Sequence, residues 1–509
     1  MKTMNESTMF KRIFARDTTL WASDAAVQET VKHRLGWLDS IDFCLANKDV
    51  IDTFSEQVKR DGFKQVILLG MGGSALAPEV FSHLFPEQEN GLKLQVLDST
   101  CAQQIKAFEQ SVDVSETLFL VSSKSGSTIE TWSLFHYFYQ CIEAVKGKKA
   151  GDHFAAITDG GSDLQQLADQ YDFRHCFINP ADIGGRFSAL SFFGLVPAAL
   201  LGIPLDVLLS RAQQAKQSCL RGDGAGVLLG EWLANGYVEQ SLDKLLLTVP
   251  EKLEPLIWWV EQLVAESLGK QEQGILPVLN KKQEKKQFAY TKQLNIGFSM
   301  EPADFAQSHT ASWNLLDKYD VAAHFFHWEF ATAIAGAHLG INPFDEPNVT
   351  EAKQQTKVLL EQYAHTQLPL PAEKPLADLW AHAGDDSYVA ILAYWPINAD
   401  NYDALQQCKK AIEDTMGLPV TVNFGPRYLH STGQLHKGGK RQGLFIVLTQ
   451  LESDELDIPG GDYSFNTLCQ AQALGDYQIL TEKGLPAAFY TVKDLSQWSL
   501  SNGLVGDRQ

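Results

Sequence analysis

The sequence predicts an α/β protein with parallel sheets and helices on both faces of each sheet. The first observation is that, from residue 62 onward, short apolar runs typical of buried strands alternate with segments of helical periodicity. The second is size, since 509 residues with 45% hydrophobic content allow two or three domains with substantial cores. Ligands of such sheets bind at the carboxyl ends of the strands, so we expect the chemistry in the loops that follow strands.

The amino-acid composition limits the classes of partner that this protein is expected to bind. A net charge of −20 and a pI near 5.1 argue against a general nucleic-acid surface, so an anionic ligand needs a local cluster of Ser, Arg and backbone N–H groups. The seven cysteines stand singly, with no Cys-x-x-Cys pair, which fits reduced thiols better than disulfides or a zinc site. Since neither a signal-peptide core nor a membrane-length apolar run is present, we expect a cytoplasmic protein with no membrane partner.

The chain begins with residues 1–60, where apolar residues such as Trp21, Leu35 and Phe54 recur at loosely helical spacing. This spacing predicts a peripheral helical segment without chemistry of its own. A first α/β set follows. Its strands are predicted at 65–69, 92–97, 117–121 and 153–158, and its helices at 78–84, 129–139 and 163–171.

The most informative stretch of this set is the serine-rich loop 121–128, which follows an apolar strand and precedes the helix that begins at Ile129. Such a loop presents hydroxyl groups, free backbone N–H groups and the positive end of a helix dipole at one point. This combination suits a phosphate. An ordinary serine-rich helix cap is the structural alternative, because hydroxyl residues are the usual caps.

Two further loops carry glycines. The loop Gly70–Ser74 lacks the third glycine of a dinucleotide fingerprint, since Leu76 stands there, and it lacks the Gly-Lys-Ser/Thr ending of a Walker loop. A tight structural turn and a ligand contact both remain open. Arg186 follows two glycines and supplies a permanently charged fork, which favours either a ligand contact or a structural ion pair.

A second α/β set begins near residue 243, with a helix predicted at 254–268. Glu266 lies near the end of that helix, where the dipole does not favour an anion, so a solvated glutamate and a tuned base are both open. A long apolar helix at 322–339 holds His324 and His327 at the i, i+3 spacing of a metal pair. No third ligand is evident, so we expect no metal site.

The remaining chain returns to the same pattern after a lysine-rich surface loop at 281–292 and a proline-containing linker or insertion at 365–385. Strands are predicted at 388–394, 419–423 and 443–448, with a helix at 401–416. The loop 427–439 between the last two strands contains two histidines, a lysine and three glycines, which is typical of an active-site loop at a strand end.

Five motifs in order resemble those of the glucose-6-phosphate isomerase family. They are Gly-Met-Gly-Gly-Ser (70–74), Ser-Lys-Ser-Gly-Ser-Thr-Ile-Glu-Thr (123–131), Asp-Ile-Gly-Gly-Arg-Phe-Ser (182–188), Glu-Ser-Leu-Gly-Lys (266–270) and Gly-Ile-Asn-Pro-Phe-Asp-Glu-Pro-Asn-Val-Thr-Glu-Ala-Lys (340–353). The chain looks most like the isomerase half of bacterial transaldolase and glucose-6-phosphate isomerase fusions. The resemblance runs from about residue 30 to the end.

The resemblance implies two sugar isomerase (SIS) domains, each a parallel sheet sandwiched by helices. Residues 61–205 would form the first domain, and residues 206–509 the second, with a C-terminal extension completing its sheet. The implied reaction is the reversible isomerisation of glucose 6-phosphate and fructose 6-phosphate through an enediol(ate), in glycolysis and gluconeogenesis, without metal or cofactor.

Carried onto this chain, the family's functional residues fall into five roles. The residues that would hold the phosphate are Ser123, Lys124, Ser125 and Thr128, and those that would line the sugar are Gly72, Gly73 and Ser74. Arg186 would face the reacting carbons, and Glu266 would move the proton. Lys353 and His430 would open the ring, with His436 as the second candidate histidine.

Two features depart from the family pattern. Glu346 stands where the family has a glutamine that contributes to the phosphate site, which would place an anion near an anion. The ring-opening histidine loop follows the lysine motif here, whereas in the family it precedes that motif. In the family this histidine comes from the neighbouring subunit, so the resemblance implies a homodimer.

Two alternative functions remain open. A non-catalytic sugar-phosphate sensor would need only the phosphate loop, and the joint presence of Arg186, Glu266 and Lys353 favours the enzyme over it. An isomerase that also accepts mannose 6-phosphate is not excluded by the sequence.

Overall fold

The computed structural model describes residues 8–86, 88, 90–281, 293–299, 310–363, 366–451 and 455–501. The helices in these residues are α1 (Met9–Phe14), α2 (Ala25–Lys32), α3 (Ser40–Ala46), α4 (Lys48–Arg60), α5 (Leu76–Leu84), α6 (Ala102–Ser111), α7 (Ile129–Lys146), α8 (Asp163–Gln170), α9 (Phe192–Leu200), α10 (Leu205–Arg221), α11 (Ala225–Gln240), α12 (Glu254–Leu268), α13 (Val321–Leu339), α14 (Pro347–Tyr363), α15 (Leu376–Trp380), α16 (Ala399–Met416), α17 (Gly433–Gly438), α18 (Phe465–Glu482) and α19 (Leu495–Ser501).

The strands in the same residues are β1 (Gln65–Gly70), β2 (Lys93–Leu97), β3 (Thr117–Ser122), β4 (Phe154–Asp159), β5 (His175–Asn179), β6 (Lys244–Val249), β7 (Leu276–Lys281), β8 (Gln293–Ser299), β9 (Thr310–Asn314), β10 (Tyr388–Tyr394), β11 (Val420–Phe424), β12 (Gly443–Gln450) and β13 (Ala487–Val492). Strands and helices alternate through most of the chain, as predicted. Of the surface loop predicted at 281–292, residues 282–292 lie outside the described residues.

The first sheet is parallel, with the strand order β2-β1-β3-β4-β5. Gly70 of β1 pairs with Ser122 of β3, so the glycine-rich and serine-rich loops begin side by side. Both loops lie at the carboxyl edge of the sheet, where ligands of this architecture bind.

Both faces of this sheet are covered, as the near-continuous apolar strands predict. On one face Val66 and Leu68 belong to the largest hydrophobic cluster. On the other face Ile67 and Leu69 pack in a second cluster with Phe135 and Phe138 of α7. This alternation follows from the two-residue period of a strand.

The later strands form two parallel four-stranded sheets, ordered β7-β6-β8-β9 and β11-β10-β12-β13. The predicted fold class, parallel sheets flanked by helices, is confirmed. One sheet was expected for the second half of the chain, and the strands divide into two because β6 pairs with β7 and β8 rather than with β10. A shared apolar cluster joins the two sheets, with Leu246 and Val278 packing among residues of β10 and β12. The domain boundaries at residues 60 and 205 stay a prediction.

The N-terminal segment is helical, as predicted, and four of its aromatic side chains, Phe10, Trp21, Trp37 and Phe54, are buried in the largest cluster. Trp37 is fully buried, and its ring lies 5.5 Å from that of Phe187, the residue that follows Arg186. The segment therefore supports the loop that carries Arg186.

All seven cysteines are free thiols, as their single spacing predicts. His324 and His327 are buried in α13. Within the described residues, no group of three or more His, Cys, Asp and Glu side chains is placed to hold a metal ion. No helix of that same part of the chain is long and apolar enough to cross a membrane.

Candidate active site

The serine-rich loop joins β3 to α7 and is shaped by its own hydroxyl groups. Ser123 Oγ accepts a hydrogen bond from the Gly126 N–H at 3.1 Å and donates one to Thr128 Oγ1 at 3.2 Å. Thr128 occupies the N-cap position of the 18-residue helix α7, but no side chain caps the N–H groups of the first turn. An uncapped helix start with a positive dipole end is suited to an anion.

A cavity of about 1070 Å³ lies against this helix start. Its walls come from both halves of the chain, with Thr128 and Glu130 on one side and Lys353 of α14 on another. His430, from the turn after β11, completes the polar lining. Thus three of the predicted site residues, Thr128, Lys353 and His430, meet at one cavity.

His430 is paired with a carboxylate that is almost fully buried. His430 Nε2 lies 2.9 Å from Glu130 Oε1, and Glu130 is 3% exposed. Burial alone raises the pKa of Glu130, but the charges of His430 and Lys353 contribute to lowering it below its usual value. Gln472 Nε2 donates a second hydrogen bond to the same oxygen at 2.7 Å. Glu130 therefore holds the His430 ring at the cavity.

A second charged pair is buried beside the cavity. Glu266 Oε1 lies 3.3 Å from Arg186 Nη1, and both residues are less than a tenth exposed. Burial raises the pKa of Glu266, the Arg186 charge opposes this, and the carboxylate of Glu346 raises it further. A buried carboxylate with a raised pKa is suited to accept and return a proton.

Gln262 connects the two pairs. Its Nε2 donates to Glu266 Oε2 at 3.0 Å and to the carbonyl oxygen of His430 at 2.7 Å. Gln262 precedes Glu266 by one helical turn, so both side chains lie on the same face of α12. Arg186 and Glu266 do not line the cavity, but they are linked to its wall through Gln262.

Arg186 is held on all sides by the protein. Its Nε donates to Ser267 Oγ at 2.7 Å, and its Nη2 donates to the carbonyl oxygens of Pro343 and Asp345 at 2.7 and 2.8 Å. Nη1 donates to Glu346 Oε2 at 3.0 Å. Glu346 thus faces Arg186 and is not among the residues that line the cavity.

The glycines of the loop after β1 are used for close packing. A Cβ at Gly73 would lie 2.0 Å from the carbonyl oxygen of Gly185. Gly72 has a φ of +53°, and a Cβ there would lie 2.7 Å from the carbonyl oxygen of His430. Ser74 is buried, and its carbonyl accepts from Ser122 Oγ. These three residues, expected to line the sugar, fit the neighbouring loops together and do not line the cavity.

The other predicted phosphate ligands, Ser123, Lys124 and Ser125, are not among the residues that line the cavity. The Lys124 ammonium is bonded to the Asp159 carboxylate and to the Ala181 carbonyl oxygen. Ser125 Oγ lies 3.0 Å from Ser127 Oγ on the exposed side of the loop. Of the four residues, Thr128 lines the cavity.

The two candidate histidines separate clearly. His436 is 3% exposed, and burial lowers its pKa to about 3. Its Nδ1 lies 2.9 Å from the Tyr388 hydroxyl, and it does not line the cavity. The structure therefore places His430 at the site. His430 contacts Glu130 of its own chain, so this contact needs no neighbouring subunit.

Sequence reasoning missed Glu130, Gln262 and Gln472. Glu130 stands inside the serine-rich motif, and its position just after the loop is a signal that was available. Gln262 precedes Glu266 by four residues, which is a helical-face signal. Gln472 is separated from Glu130 by 342 positions, and no local pattern connects the two.

The fold and the site define the class, an α/β protein with parallel sheets flanked by helices and a serine-rich loop at a helix start. Among solved structures, a glucose-6-phosphate isomerase from Chlamydia trachomatis has the same fold, with a TM-score of 0.54, 16% identity, and coverage of 69% of this chain and 78% of that one.

Sequence comparison relates part of the chain to a known family. Residues 46–276 match the model of the family described as phosphoglucose isomerase. This region is just under half of the chain. Curated relatives named glucose-6-phosphate isomerase include one from Campylobacter jejuni, 28% identical over 53% of this chain and 65% of its own length. Another, from Cyanothece sp., is 32% identical over 49% and 51%. The chain thus spans between about half and two thirds of these two relatives.

Proposed function

We propose that this protein interconverts glucose 6-phosphate and fructose 6-phosphate through an enediol(ate), with Glu266 as the base that moves the proton. The observation that carries the proposal is the buried Arg186–Glu266 pair, linked through Gln262 to the His430–Glu130 pair at the cavity. The relatives named glucose-6-phosphate isomerase and the family match support it.

Proton transfer is assigned to Glu266. The reaction removes a proton from C2 and returns it to C1, and one carboxylate can do both when it reaches both carbons. General acid–base catalysis of this kind contributes about 10²- to 10⁴-fold. The raised pKa of Glu266 suits a group that must both take and release the proton near neutral pH. Arg186 supplies a fixed positive charge beside Glu266, and this charge offsets the negative charge of the enediolate as it forms.

Ring opening is assigned to His430, with Lys353 assisting. His430 can pass a proton to the ring oxygen, and the Glu130 carboxylate, 2.9 Å from Nε2, fixes the orientation of the imidazole ring. Lys353 is exposed on another wall of the same cavity, so its ammonium can position the adjacent hydroxyl group.

Phosphate binding is assigned to the start of α7. Thr128 and the uncapped N–H groups of the first turn supply neutral donors at the positive helix end. Ser123 and Ser125 shape the loop, and Lys124 contributes its charge from its place beside Asp159. Binding of this non-reacting group provides energy that orients the sugar carbons.

We further propose a cytoplasmic setting, which the seven free thiols support. The proposed partner is the sugar phosphate, with no nucleic acid or membrane partner. A homodimer remains part of the proposal by family resemblance, although His430 reaches Glu130 within one chain.

The test is a coupled assay of the interconversion with added chelator, on the wild type and Glu266→Gln. We expect wild-type turnover to survive the chelator and the variant to lose about two orders of magnitude in kcat, as expected for a lost general base. Glu261→Gln is the matched control, because Glu261 lies on the same helix and is also buried, but the cation acting on it is Lys409 rather than Arg186. Its kcat should remain close to that of the wild type.

Two results would contradict the proposal. Full activity in Glu266→Gln would mean that another group moves the proton. Wild-type protein that binds fructose 6-phosphate without turnover would be a sugar-phosphate sensor, not an isomerase.

A further inference from the structure

Arg186 has its hydrogen-bonding capacity filled by the protein itself. A guanidinium has five N–H donors. In this structure Nε contacts Ser267, Nη2 contacts two backbone carbonyl oxygens, and Nη1 contacts both Glu346 and Glu266. Two carboxylates therefore share one end of one cation.

The two carboxylates differ in their surroundings. The Glu266 side chain is 8% exposed, whereas that of Glu346 is 38% exposed. Glu346 lies just before α14 begins at Pro347, the helix that carries Lys353. It therefore reaches the buried arginine from the solvent side, while Glu266 reaches it from inside the protein.

Other charged side chains surround Arg186, Glu266 and Glu346. Lys270 of α12 donates to Asp345 Oδ1 at 2.7 Å and to the Asn342 carbonyl oxygen, so its charge is largely matched by Asp345. Arg34 and Lys270 act on Glu346, Lys270 also contributes to lowering the pKa of Glu266, and Gln262 donates to Glu266. The Asp345 carboxylate acts on Arg186 as well but is paired with Lys270, so Glu346 is the carboxylate that shares Arg186 Nη1 with Glu266.

We propose that Glu346 is a positioning residue for the isomerisation: its carboxylate shares the Arg186 guanidinium with Glu266 and so limits how strongly Arg186 holds Glu266. This inference rests on the proposed function. Without the Glu346 charge, Arg186 would act on Glu266 alone and would favour its ionised form more strongly. The pKa of Glu266, which Glu346 raises, would then fall.

The experiment compares the pH dependence of kcat/KM in the wild type and Glu346→Gln. Glutamine keeps an oxygen acceptor for Arg186 Nη1 and removes only the charge. We expect the acid limb of the profile to move to lower pH by about one unit. On the alkaline plateau kcat should fall about threefold, because Glu266 becomes a weaker base, with little change in KM. Glu346→Asp should restore the wild-type limb.

Glu351→Gln is the matched control. Glu351 lies on α14, pairs with Lys483 and makes no contact with Arg186. It removes an equal charge near the same helix, so its acid limb should stay at the wild-type position. A limb that moves equally in both variants, or in neither, would overturn the inference.

A second readout does not depend on turnover. The carboxyl ¹³C resonance of Glu266, assigned by its absence in Glu266→Gln, is titrated in the wild type and in Glu346→Gln. A lower midpoint in the variant supports the inference, and an unchanged midpoint overturns it. An inactive wild type would count against the proposed function alone, because the titration still reports on Glu346.

Discussion

At the residue scale, Glu261 and Glu266 show that burial alone does not make a base. Both are on α12 and both are less than a tenth exposed. Burial raises the pKa of Glu261 to about 8, with the charge of Lys409 only partly opposing this. Glu266 has the Arg186 cation at 3.3 Å. The difference in partner, not in burial, makes Glu266 the better candidate for catalysis.

Glu261 also predicts a pH effect on stability. Its pKa is about 8 in the fold against 4.5 for the free group, so from pH 4.5 to 8 the folded state keeps a proton that the unfolded state releases. Stability is therefore lost as pH rises through this window, by about 3 kcal/mol at neutral pH. Glu261→Gln is neutral throughout and avoids this loss.

Urea unfolding of the wild type and Glu261→Gln at about pH 5 and about pH 7.5 tests this expectation. The free energy of unfolding of the variant, relative to that of the wild type, should be higher at the upper pH than at the lower pH. A stability difference that is the same at both pH values would contradict it.

At the element scale, the start of α7 serves two demands that conflict. An anionic side chain at a helix start stabilises the helix. The same charge would repel a bound phosphate. The observed N-cap residue is the neutral Thr128, without a capping hydrogen bond to the first turn. The N-cap position is thus neutral, and the one carboxylate of the first turn, Glu130, is paired with His430.

Thr128→Asp should separate these demands. We expect KM for fructose 6-phosphate to rise by roughly tenfold or more, because a carboxylate opposes the phosphate. The melting temperature should not fall, since aspartate is a better N-cap than threonine. Asn398→Asp is the control, because Asn398 caps the 18-residue helix α16 away from the cavity. Equal KM values in Thr128→Asp and the control would argue against phosphate binding at α7.

At the scale of the whole molecule, the candidate site depends on the docking of the two halves of the chain. The family match ends at residue 276, yet Lys353 and His430 both lie beyond it. The turn that carries His430 is fixed by Arg427, which contacts Glu79 and Asp98 of the first half at 2.6 to 3.0 Å. These ion pairs connect the turn that carries His430 to helix α5 and to the end of strand β2.

Arg427→Met should therefore destabilise the protein strongly. The change leaves the carboxylates of Glu79 and Asp98 buried without their cation, at a cost of about 3 to 5 kcal/mol. Chemical denaturation measures the loss, and kcat should fall with it because His430 is three residues away. Arg441→Met, at an exposed arginine of the same half, is the control. A similar small loss in both variants would mean that these ion pairs do not connect the halves.

Much of the fold was predictable from local pattern. The strand 388–394 and the helix 254–268 were predicted with the observed bounds, because their apolar periodicity is strong. The strand β5 was not predicted from the sequence, because it has only five residues and its side chains range from buried to exposed. The division of the later strands into two sheets was also missed, because strand pairing depends on contacts distant in sequence.

The sequence alone determined the fold class, the loop between β3 and α7, and the residue types available for proton transfer and phosphate binding. These follow from hydrophobic periodicity and from motifs whose members are close in the chain. Only the tertiary structure decided that His430 meets Glu130, 300 positions away, and that Glu346 faces Arg186, 160 positions away. It also directed Lys124 to Asp159 and used Gly72 and Gly73 for loop packing. Side-chain direction and burial depend on which distant segments pack together, and no local pattern contains that information.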